Sequence, residues 1–72
     1  MKYSIILLPS TNHALRAEKV MINAGLQCKL MPVPRDIRSD CGLCLRIESR
    51  IKTDILHLLS EAKLDVEDCV EL

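Results

Sequence analysis

Leu43-Cys44-Leu45-Arg46-Ile47-Glu48-Ser49 runs directly into Arg50-Ile51-Lys52-Thr53-Asp54-Ile55-Leu56-His57-Leu58-Leu59-Ser60-Glu61-Ala62. The repeat of apolar positions changes at Ser49 from two residues to about 3.6. Before it, Leu43, Leu45 and Ile47 alternate with Cys44 and Arg46, the pattern of a strand with one covered face. After it, Ile51, Ile55, Leu58, Leu59 and Ala62 form an i, i+4, i+7, i+8, i+11 stripe, while Arg50, Lys52, Asp54, His57 and Glu61 face water. Ser49 stands where a helix cap is wanted. The pattern predicts Ile55, Leu58 and Leu59 buried against Leu43, Leu45 and Leu30.

Working outward, Ile5 to Leu8 is a continuous apolar run stopped by Pro9-Ser10-Thr11, which reads as a buried strand ending at a helix start. Helix 1 is expected from Asn12 to Ala24. Ser10 or Thr11 caps it, Ala14, Ala17, Met21 and Ala24 recur at helical spacing, and Gly25 stands where a left-handed C-terminal glycine belongs. Leu26, Cys28 and Leu30 alternate with Gln27 and Lys29 as a second strand, and Leu64 to Leu72 supplies a last, weakly patterned one. The βαββαβ order over 1–72 makes a single α+β domain, a ferredoxin-like sandwich with two helices on one face of a four-stranded antiparallel sheet. In that topology the start of helix 1 and the loop between strands 2 and 3 share one end of the sheet. Ser10, Thr11 and His13 are therefore expected close to Arg35 and Cys41.

Composition excludes several classes of function. A chain of 72 residues buries only about 60% of the surface its unfolded form exposes, so its core is marginal and a partner such as a second copy is expected to help. Ten basic and ten acidic side chains cancel, and Tyr3 is the sole aromatic residue. The chain thus lacks both the long-range field and the stacking platforms of a nucleic-acid binder. The Ile5 to Leu8 run is too short for a signal-peptide core or for the ~20 residues of a membrane span. The expectation is a cytoplasmic chain that takes no cofactor, whose four cysteines stay reduced and read as reactive or metal-binding sulfur or as small core residues.

Chemistry concentrates in Pro32-Val33-Pro34-Arg35 and Ser39-Asp40-Cys41-Gly42-Leu43-Cys44. The two prolines stiffen the entry to the loop, and Gly42 lets the chain turn or pass close to another group beside Cys41. Cys41 and Cys44 form a C-x-x-C, which suits a redox dithiol or half of a tetrahedral zinc site. The remaining zinc candidates, Cys28, Cys69, His13 and His57, include no second tight pair. Alternation puts Cys28 on the helix-covered face with Leu26 and Leu30, whereas Cys69, out of phase with Val66 and Val70, is expected on the other. The free N–H groups at the start of helix 1, with the Ser10 and Thr11 hydroxyls, would favour a thiolate or persulfide on Cys41. Arg35 and Arg38 add to that field, Asp36 and Asp40 cancel it in net charge, and His13 is either a proton shuttle or a solvated first-turn residue. His57 belongs to the polar side of helix 2.

Ser10-Thr11 followed by Ala14 and Ala17-Glu18, then Gly25, Pro32-Val33-Pro34-Arg35 and Ser39-Asp40-Cys41-Gly42, resemble the selenium/sulfur carrier-like family of small bacterial proteins. The resemblance spans nearly the whole chain. It implies a cytoplasmic carrier, rather than a turnover enzyme, that holds sulfur or selenium on Cys41. The cargo would come from a desulfurase-type donor and pass to an acceptor enzyme, with Cys44 as resolving thiol. Two departures stand out: Cys44 is not a feature of every member, and Arg38 interrupts the usual serine-rich run. From the residues alone, two further readings stand beside the carrier: a thiolate module for Zn(II) or Cu(I), and a non-catalytic interaction domain.

Overall fold

The computed structural model, which describes residues 2–37 and 42–72, has the βαββαβ order that the periodicity predicts. Its elements are β1 (Tyr3–Leu7), α1 (Thr11–Asn23), β2 (Lys29–Pro32), β3 (Leu43–Glu48), a single 3-10 turn (Ser49–Ile51), α2 (Lys52–Glu61) and β4 (Asp68–Glu71). The strands form one sheet in the order β2-β3-β1-β4, with every neighbouring pair antiparallel. This is the ferredoxin-like arrangement.

The main core lies between sheet and helices. Ile6, Leu8, Leu45 and Ile47 meet Ala14, Ala17 and Met21 of α1, Ile55 and Leu59 of α2, and Leu64 beyond it. The two alanines let α1 lie close to the sheet, and each larger side chain buried here contributes about 1.5–3 kcal/mol. Both helices end in the same hydrogen-bonded motif. Leu26 N–H reaches the Met21 carbonyl at 2.9 Å and Gly25 N–H that of Ile22 at 3.0 Å; Leu64 N–H reaches Leu59 at 2.9 Å and Lys63 N–H reaches Ser60 at 3.0 Å. The residue that must adopt positive φ is Gly25 (77°) in the first motif and Lys63 (62°) in the second.

Several expectations are corrected. Ser49 does not cap α2; its Oγ lies 2.7 Å from Ser4 Oγ, and α2 begins at Lys52 with Ile51 in the cap position and no side-chain cap. Ser4 is wholly buried, so its hydroxyl needs a partner more than an exposed helix end needs a cap. Leu58 is only half-buried, because α2 turns Ile55 and Leu59 to the sheet and leaves Leu58 lining a groove with Ala24 and Leu26. Cys69 packs against the helix-side core, while Val70 belongs to the opposite face. Its parity with Val66 does not hold because β4 starts only at Asp68.

The face away from the helices is apolar as well. Ile5, Leu7, Val33 and Cys44 are buried there, with Met31, Ile37 and Val70 packed around them. The chain leaving β2 supplies Val33 and Ile37 to this second cluster, so β1 is covered on both sides, which is why its sequence is continuous rather than alternating.

Replacing Lys63 with Gly should raise stability by a few tenths to about 1 kcal/mol, since an L side chain is strained at that φ. Gly25→Ala should lower it by about 1 kcal/mol: no atom lies within 4 Å of the added Cβ, so the cost is in the backbone alone. Thermal melts should separate the two variants in opposite directions, at roughly 4–8 °C per kcal/mol for a domain of this size. Leu59→Ala should cost about 2–5 kcal/mol and Leu58→Ala well under half of that. Equal losses would place Leu58 in the core after all.

Candidate functional site

The ladders fix which residues gather at the thiol end of the sheet. Leu7, near the end of β1, pairs with Cys44 at the start of β3; Met31 and Pro32, ending β2, pair with Cys44 and Leu43. The β2–β3 connection and the start of α1 therefore share one end of the sheet. They do not share a face at Cys44, whose side chain is on the side away from the helices, among Ile5, Leu7 and Val33.

Each half of the connection is anchored. Val33 N–H donates to the Gly42 carbonyl at 3.2 Å, and Ile37 N–H donates to the Pro34 carbonyl at 3.1 Å, closing a turn that carries Arg35 and Asp36 outward into solvent. Pro32 sits on an edge strand, where its missing N–H costs the ladder nothing. Its carbonyl lies 3.8 Å from Cys44 Sγ, within reach of a weak S–H donor. Among the described residues, a Cβ added at Gly42 would meet Val33 Cγ2 at 3.9 Å, an ordinary van der Waals contact. Arg38, Ser39, Asp40 and Cys41 lie outside the described residues.

At the start of α1, Ser10 adopts extended backbone and its Oγ accepts from His13 N–H at 3.2 Å, with His13 Nδ1 2.7 Å from the same oxygen. Of the two caps the sequence allows, Ser10 is thus the one used, and His13 is its partner. Thr11 begins the helix with its side chain exposed.

The remaining cysteines are far from each other. Cys28 precedes β2 and Cys69 lies in β4, the two edges of the sheet, so three strand spacings, about 14 Å, separate them although both face the helix side. Burial pushes the Cys28 thiol pKa up, and Glu18 pushes it further. The Cys69 pKa is also raised, first by burial; Lys52 opposes the shift, and Asp68 and Glu71 add to it. Among the described residues no three His, Cys, Asp or Glu side chains converge as a metal site. His57 is exposed, with Nε2 3.4 Å from Glu61 Oε2. Sequence reasoning missed the second apolar cluster, although Met31, Val33 and Ile37 stand in view just before and after the prolines. It also missed the cation–π contact of Arg46 with Tyr3, 4.6 Å from guanidinium carbon to ring centre.

A family model described as "Putative Se/S carrier protein-like" matches residues 2–71. The chain is also similar to the uncharacterized protein YtiA of Escherichia coli (strain K12), with 36% identity over 45 residues, 62% of this chain and 53% of the relative. The match thus spans about half the length of that curated relative. No solved structure matches. No helix among the described residues is long and apolar enough to cross a membrane.

The thiols yield a pH-dependent expectation. A raised pKa in the folded state means the protonated thiol is the form that folding favours. The stability linked to Cys28 and Cys69 is complete below the ordinary cysteine pKa, and is lost as pH rises through their elevated values. Urea melts at increasing alkaline pH should show this loss in wild type and a smaller one in a Cys28→Ala, Cys69→Ala double variant. Alkylation mapped by mass should label Cys44, at 0% exposure, more slowly than either, at the rate of local opening. Cys44 labelling as fast as Cys69 would contradict its burial.

Proposed function

The chain belongs to the family described as Putative Se/S carrier protein-like, and from that membership we propose that it carries sulfur or selenium on Cys41. The observation that carries this reading is the family match across residues 2–71, a range that includes the Cys41-Gly42-Leu43-Cys44 sequence. Supporting it, Val33 N–H holds Gly42, the residue that follows Cys41, to the chain that leaves β2. The helix start that carries Ser10 and Thr11 belongs to the same end of the sheet as that connection.

In the loading step the Cys41 thiolate attacks the outer sulfur of a cysteine persulfide on a desulfurase-type donor. The new S–S bond forms on Cys41, the donor's S–S bond breaks, and the donor cysteine leaves as a thiolate. Delivery repeats the exchange: an acceptor enzyme's thiolate takes the outer atom and Cys41 leaves as a thiolate. Selenium follows the same course as a selenopersulfide. Cys44 is the resolving thiol: its attack on the inner sulfur of the Cys41 persulfide closes a disulfide and releases the outer atom as hydrogen sulfide, leaving a bond that a dithiol reductant must reopen. Because its side chain is closed to solvent, external thiols do not compete for it. Ser10, Thr11 and Arg35 favour the anionic sulfur, and His13 shuttles the proton. The protein acts in the cytoplasm between its donor and its acceptor.

Incubation with a persulfide donor, then intact-mass analysis under anaerobic conditions, should show one added sulfur or selenium atom. Cys41→Ser should abolish the addition, and Cys28→Ala with Cys69→Ala should leave it unchanged. Cys44→Ser should still load but release no sulfide without an added thiol. In a variant with Cys41 as sole cysteine, Thr11→Val and Arg35→Gln should each shift the pH profile of alkylation upward. Loading that survives Cys41→Ser would overturn the assignment.

A further inference from the structure

The end of the sheet away from Cys44 holds a concentration of charge that the neutral composition conceals. In the β2–β3 ladder Lys29 stands directly opposite Arg46. Like charges facing each other across strands are destabilising. No carboxylate pairs with either cation among the described residues: Glu48, the nearest acid on β3, is held by Arg50 Nε at 2.6 Å. Arg46 is half-buried, with its guanidinium carbon over the Tyr3 ring at 4.6 Å from the ring centre, a cation–π contact that restricts its N–H fork. A guanidinium restricted and partly dehydrated in this way is the group best matched to a phosphate.

Two adjoining clefts share Tyr3 and Glu48 as walls. The smaller, about 140 Å³, is lined by Lys29 and Arg46, and the larger, about 350 Å³, by Lys2, Ser49 and Arg50. Tyr3, 42% exposed, offers the one aromatic surface of the chain between them. We infer that this corner binds a small organic phosphomonoester, with Lys29 and Arg46 on the phosphate and Tyr3 against the organic group. The dianion relieves the Lys29–Arg46 repulsion, and the larger cleft has the volume of a small-molecule site. Nothing in this inference depends on sulfur transfer.

Phenyl phosphate is the direct probe, followed by amide chemical shifts, with inorganic phosphate, phenol and vesicles of anionic lipid as comparisons. Phenyl phosphate should shift Tyr3, Lys29, Arg46 and Glu48 in a saturable way. Inorganic phosphate should bind more weakly at the same residues, and phenol not at all. Lys29→Gln and Arg46→Gln should each weaken binding roughly tenfold or more, whereas Arg16→Gln, an exposed change on α1, should not. Lys29→Gln should also raise the melting temperature of the ligand-free protein and reduce the further rise that phenyl phosphate gives. Any of three results would overturn the proposal: no saturable shift, equal weakening by Arg16→Gln, or capture by anionic vesicles with no response to phenyl phosphate. Should Arg46→Gln disturb the strand, Lys29→Gln decides the matter alone.

Discussion

Burial of β1 on both faces is the constraint from which the rest of the molecule follows. Ile6 and Leu8 belong to the helix-side core, Ile5 and Leu7 to the cluster on the reverse, and the strand pairs with β3 on one edge and β4 on the other. A small domain with a single covered face has little apolar area to offset its lost chain entropy. This one gains a second, smaller core by laying Val33 and Ile37 against the reverse of the sheet. The same act fixes where the β2–β3 connection leaves and rejoins the structure, because Val33 is bound to Gly42 by its backbone.

That second core also decides the character of the C-x-x-C. Cys44 is a strand residue whose parity turns its sulfur away from the helices and into the cluster with Ile5, Leu7 and Val33. The two cysteines of the motif are therefore not equivalent in their elements: Cys44 is fixed by β3, whereas Cys41 precedes the strand. Cys28 and Cys69 occupy opposite edges of the sheet, which keeps them from completing a tetrahedral site together.

The order of elements, the helix positions and a cap at Ser10 or Thr11 were legible in the sequence, because periodicity and capping are local and β3 and α1 obey both. What was hidden depends on contacts across the chain. Ser49 has the residue type of a cap and is taken instead by Ser4, 45 positions away. Leu58 lies on the apolar stripe of α2, but the angle at which that helix meets the sheet selects Ile55 and Leu59. Cys69 changed face because a parity count carried through Val66 continued a strand that begins only at Asp68. The expected site at Ser10, Thr11, Arg35 and Cys41 was legible only to the extent that topology assigns residues to one end of a sheet. Cys41 itself lies outside the described residues.

A net charge of zero describes the chain as a whole and not its surface. The last segment collects Asp65, Glu67, Asp68 and Glu71 along one edge, while Lys2, Lys29, Arg46 and Arg50 meet around Tyr3 on the side of β2 and β3. Screening limits the reach of either group to about 8 Å in physiological salt, so cancellation over the whole molecule does not weaken the field inside a cleft. On β3, Cys44 and Arg46 are two residues apart on one face, about 7 Å along the strand. The same alternation that buries a thiol at one end of the sheet therefore sets at the edge of solvent toward the other a guanidinium with no carboxylate partner among the described residues, and a single strand supplies both chemistries.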